Sequence, residues 1–143
     1  MNKNGFSLIE MVVTISILSI VLALAIPSLD VDFAYLDKMA NEFAMDIRYV
    51  QMENMKRPSS GYKMSIDKSL GCYYVYKNSV MEKTVLFKER YKIDYTNLNM
   101  DSIGFTYEGM PVNAGTFSIL DTRTNKIKEV SIVPTTGRTI IKE

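Results

Sequence analysis

Nineteen consecutive residues, Leu8–Ile26, contain one ionisable side chain, Glu10. As a helix this run is about 28 Å long, close to the roughly 30 Å hydrocarbon thickness of a bilayer. The length therefore suits a membrane-spanning helix. Glu10 stands near its start. A carboxylate inside such a segment costs on the order of 2.5–3.5 kcal/mol at the bilayer centre, and less toward the end. A cost of that kind suggests a partner for the charge.

A short polar leader precedes the run and ends in Gly5. The residues Gly5-Phe6-Ser7-Leu8-Ile9-Glu10 resemble the processing site of type IV pilins and type II secretion pseudopilins. The resemblance implies cleavage by a prepilin peptidase after Gly5 and N-methylation of Phe6. It also implies that Glu10 pairs with the N-terminal amine of a neighbouring subunit. The physics agrees, because an amine and a carboxylate attract strongly in low dielectric while either alone is penalised. In that family the subunit at the filament tip tends to lack this glutamate, so its presence here implies a place beneath another subunit. Two other readings use the same stretch. One is a secretory signal peptide, with Lys3 as the basic region and Ala23-Leu24-Ala25 as the cleavage site; Glu10 in the apolar region and Pro27 after the cut speak against it. The other is an uncleaved signal anchor. Lys3 favours a cytoplasmic leader, with the rest of the chain on the far side of the cytoplasmic membrane.

The remainder suits one small exported domain with a single modest core. Net charge is +1, which argues against a generally polyanion-binding surface. There is no histidine, so no imidazole base, no histidine metal site and no Ser-His-Asp triad. No metal, cofactor or enzymatic activity is expected. Cys72 is the one cysteine and reads as a small buried hydrophobe.

Pro27 interrupts the apolar run, and a helical pattern resumes after it. Phe33, Leu36, Ala40, Phe43, Ile47 and Val50 recur in steps of three and four. Arg57-Pro58-Ser59-Ser60-Gly61 ends that helix. Strand candidates follow at 62–66, 72–77, 84–88, 91–95, 102–107, 116–120, 127–133 and 139–141, rich in tyrosine and β-branched residues. The expected fold class is α+β. A long N-terminal helix, its first half in the membrane and its second half amphipathic, packs on one antiparallel sheet or two small ones. The expected organisation is a leader at 1–5, a transmembrane and assembly helix at 6–27, the amphipathic half of the same helix at 28–57, and a β-sheet head at 58–143.

The C-terminal half carries Phe105, Glu108-Gly109 and Pro111, then Gly115–Ile119, Val130-Ser131-Ile132 and Thr136-Gly137-Arg138. This order, with the helix stretch Phe43–Gln51, is similar to GspH/FimT-type minor pseudopilins. The resemblance implies a minor structural subunit of a pilus or pseudopilus. Its partners would be other pilin subunits, prepilin peptidase, and membrane lipid before assembly. Some relatives of this kind bind DNA. Candidate phosphate contacts here are Arg123, Lys126, Lys128, Arg138 and Lys142, diluted by Asp121, Glu129 and Glu143. A solvated strand face is favoured over a DNA site.

Overall fold

The computed structural model describes residues 7–25, 33–57, 61–95 and 101–142. Two helices, α1 (Leu8–Ala25) and α2 (Phe33–Lys56), precede eight strands. The chain divides into two compact units, Met1–Phe33 and Ala34–Glu143. The junction at Pro27, where one continuous helix was expected to bend, lies outside the described residues.

In the second unit α2 buries one stripe. Leu36, Met39, Ala40, Phe43, Ala44, Ile47 and Val50 are all buried, at the three- and four-residue steps that align side chains on one helical face. The opposite face carries Lys38, Asn41, Met45, Arg48 and Met52, all exposed. Asn54 closes the helix onto the sheet. Its amide donates to the Tyr62 carbonyl at 2.8 Å and accepts from the Tyr62 N–H at 2.9 Å.

The strands form two four-stranded antiparallel sheets rather than one. The first has the order β3 (Val80–Leu86), β2 (Cys72–Lys77), β1 (Tyr62–Asp67), β5 (Ser102–Gly104). The second has the order β4 (Tyr91–Tyr95), β6 (Thr116–Asp121), β7 (Ile127–Ile132), β8 (Thr139–Lys142). Phe43 joins them. Its ring meets Tyr73 of the first sheet edge-on at 5.1 Å and Phe117 of the second at 5.3 Å, an arrangement aromatic quadrupoles favour.

All eight expected strands are present, with two boundaries moved by three residues or more. The third begins at Val80 rather than Thr84. Asn78 and Ser79 both have positive φ, 48° and 68°, and Lys77 pairs with Val80. A two-residue turn of that kind returns the chain directly into the next strand. The fifth ends at Gly104 instead of reaching Tyr107. There the chain doubles back: Thr106 N–H donates to the Met110 carbonyl at 2.8 Å, and Phe105 bridges Pro111.

Cys72 is buried, as expected of a small hydrophobe. Tyr73 is also buried, and its hydroxyl donates to Asp46 at 2.6 Å. Burial, reinforced by that hydrogen bond, pushes its phenol far above the usual value.

Candidate functional site

Helix α1 starts with Glu10 and Met11 N–H groups donating to the Ser7 carbonyl at 3.0 and 3.2 Å. Glu10 therefore lies in the first turn, where a negative charge opposes the helix dipole. The side chains described on α1 are exposed all round, including Leu8 at 82 % and Leu24 at 75 %. A helix apolar on every side is stable only when something else surrounds it.

The polar side chains of α1 behave in two ways. Thr14 donates to the Glu10 and Met11 carbonyls at 2.9 Å, Ser16 to Val12 at 2.7 Å, and Ser19 to Ile15 at 2.8 Å. Each hydroxyl is thus satisfied by the helix itself and needs no water. Glu10 has no such partner among the described residues. It is the one polar group on α1 that the helix leaves for something outside to complete.

Among the described residues no helix is long and apolar enough to cross a membrane. The expected span at 8–26 is not reproduced there. The described helix has 18 residues, about 27 Å at 1.5 Å per residue, and Ile26 lies outside the described residues. Gly5 and Phe6 lie outside them as well.

Residues 1–26 match the prokaryotic N-terminal methylation motif. A match of this kind supports a type IV pilin-like reading of the chain. No curated protein and no solved structure matches the chain.

The basic candidates of the second unit do not gather into one patch. Arg123 and Lys126 sit in the exposed turn between β6 and β7. Arg138 sits at the other end of β7, which at six residues is about 20 Å long. Lys128 points to α2 and pairs with Asp37 at 3.0 Å, with 19 % of its side chain exposed. Lys142 is in register with Glu129 across the β7–β8 pair. Glu143 lies outside the described residues.

Asp121 takes a role that its position in the chain did not suggest. Both its carboxylate oxygens accept from Arg90, Nε and Nη2, at 2.6 Å. It also accepts from the Arg123 N–H at 2.9 Å and the Thr124 hydroxyl at 2.7 Å. The Arg90 fork first, and these bonds after it, hold the carboxyl well below the usual range. The signal for the turn was local, an Asp two and three residues before the groups it caps. Arg90 lies 31 residues away and had none.

A depressed carboxyl pKa stabilises the fold above its unfolded value, about 3.9, and the contribution is lost as pH falls through the folded value. Asp121→Asn is therefore expected to lower the thermal midpoint at pH 6–7. The gap from the native chain should narrow steadily below about pH 4. Melting curves of both proteins across pH 2–7 check this, and a gap that stays constant would remove the ion pair as its cause.

Proposed function

We propose that this chain is a minor subunit of a pilus or pseudopilus, made as a single-pass protein of the cytoplasmic membrane with its head outside the cytoplasm. Cleavage after Gly5 leaves Phe6 as the methylated N-terminus. The amine of a neighbouring subunit then supplies the counter-charge that Glu10 lacks. The observation that carries this reading is the contrast on α1. Three hydroxyls are closed off within the helix, whereas one carboxylate is left open on an otherwise apolar surface. The minor, GspH/FimT-type rank is supported by the order of motifs from Phe105 to Arg138. A DNA-binding role is not favoured, since the candidate cations are split between two ends of the head and Lys128 is already paired.

Intact mass of the membrane-extracted protein tests the reading. A chain starting at methylated Phe6 is expected, and replacing Gly5 with a bulkier residue should leave the leader attached. A start at Ile26 would mean a secretory signal peptide, and an intact Met1 a plain anchor; either would end the proposal.

A further inference from the structure

A pocket of about 290 Å³ opens at one end of the first sheet, lined by Asn54, Tyr62, Lys63, Phe105, Tyr107 and Val112. Tyr62 and Phe105 are buried, whereas Tyr107 and Val112 are 61 % and 66 % exposed. The loop that carries these two is fastened to its surroundings. Val112 N–H donates to the Gly104 carbonyl at 2.9 Å, Gly109 N–H to the Thr106 carbonyl at 3.0 Å, and Gln51 to the Gly109 carbonyl at 2.8 Å. A wall fixed beforehand loses little freedom on binding. Two polar groups on the rim are left open. Among the described residues the Lys63 ammonium makes no hydrogen bond or ion pair, and the Tyr76 ring lies 5.7 Å from it. The Tyr107 hydroxyl makes no hydrogen bond among them either, and the neighbouring Glu108 is exposed and forms no ion pair there.

Lys63 also joins the pocket to the outer face of the sheet. It pairs with Tyr76 on β2 and Gly104 on β5, and Ser65 pairs with Tyr74 and Ser102. Paired residues share a face of the sheet. Two tyrosine rings, 6.1 Å apart, therefore stand beside a low shelf of Ser65, Ser102 and Gly104. The outer face of the second sheet is built differently. Its register sets Lys92, Asp94, Ser118, Glu129 and Lys142 on that side, charges of both signs with no aromatic ring.

Aromatic rings beside small hydroxyl side chains suit a ligand with an apolar face and a hydroxylated edge, and a sugar ring has both. The pocket, just below the roughly 300–1,000 Å³ of small-molecule sites, has room for a single ring. One open ammonium calls for one carboxylate. A nucleic acid would need a row of cations along its phosphates, and Lys63 stands alone here. We propose that the pocket binds an acidic sugar of a glycan, its carboxylate on Lys63 and its ring against Tyr107, with the adjoining sugars on Tyr76 and Tyr74. This goes beyond the filament reading and does not depend on it, because binding is measured on the isolated protein whether or not it assembles.

Saturation-transfer NMR on the detergent-solubilised full chain tests the site. The probes are trigalacturonic acid and its neutral methyl ester, sialyllactose and lactose, and a thymidine oligonucleotide. At least one of the two acids is expected to bind at millimolar concentration, about tenfold more tightly than its neutral counterpart. Lys63→Gln should abolish that difference and Lys63→Arg should keep it. Tyr107→Ala should weaken acid and neutral forms alike by about tenfold. Lys92→Gln, on the outer face of the other sheet, should change nothing. Lys63, Tyr107 and Lys92 are all exposed, so the variants should melt with the native chain. Transfer to neither acid would overturn the proposal. So would equal binding of acid and neutral forms, or a preference for the acid that survives Lys63→Gln. Displacement of the acid by the oligonucleotide would make this a nucleic-acid surface and overturn it as well.

Discussion

Gly137→Ala is expected to destabilise the head by about 3 kcal/mol and lower its thermal midpoint by roughly 15 °C. Two costs add. Gly137 has φ of +65°, a conformation that costs an L-residue about 1–2 kcal/mol. A Cβ there would also sit against the carbonyl oxygen of Gly109, 2.6 Å from Gln51 Nε2 and 3.3 Å from the Phe105 ring. That carbonyl accepts from Gln51 Nε2 at 2.8 Å, so the new carbon must break or stretch the bond tying α2 to the loop after β5. Losing a half-buried bond of this kind costs about 1–3 kcal/mol. Gly71→Ala separates the two terms. Its φ is nearly the same, +61°, yet nothing lies within 4 Å of the added carbon. It should cost about 1 kcal/mol. Thermal unfolding of the detergent-solubilised chain, followed by circular dichroism, checks the pair. Equal losses from both variants would show that backbone conformation, not the three-way contact, holds Gly137.

The same comparison shows which parts of the molecule local pattern could reveal. Steps of three and four located α2, and runs of tyrosine and β-branched residues located every strand, because those signals are carried by neighbours in the chain. Their grouping was not legible. That β4 leaves β3 to pair with β6, across 21 intervening residues or more, depends on how α2 offers Phe43 to two sheets at once. The candidate basic cluster fared similarly. Arg123, Lys126, Lys128, Arg138 and Lys142 look adjacent over twenty positions, but strand alternation turns Lys128 to Asp37 and the β7–β8 hairpin carries Arg138 to the far end. Glu10 stands out in the sequence for the opposite reason. A single charge in an apolar run is a one-dimensional fact, and α1 adds only that the nearby hydroxyls are self-satisfied.

Under the proposed filament role, Glu10→Gln separates insertion from assembly. The amide keeps the side chain's shape and removes its charge. Insertion should survive or improve, because an intramembrane charge opposes it by up to about 3 kcal/mol. Filament recovery should fall about 30-fold or more. The neighbour's amine would then be left without its counter-charge in an apolar surrounding, and removing one partner of a desolvated pair typically costs about 2–5 kcal/mol. Glu10→Asp keeps the charge on a shorter stem and should recover part of the loss. Quantitative blotting of membrane and sheared-filament fractions reads both quantities from one culture. If the glutamine variant leaves the membrane fraction, Glu10 acts in insertion. If it enters filaments normally, packing of the apolar α1 surface is sufficient for assembly and the open carboxylate serves something else. Loss from filaments with full retention in the membrane is the outcome that the unpaired charge on α1 requires.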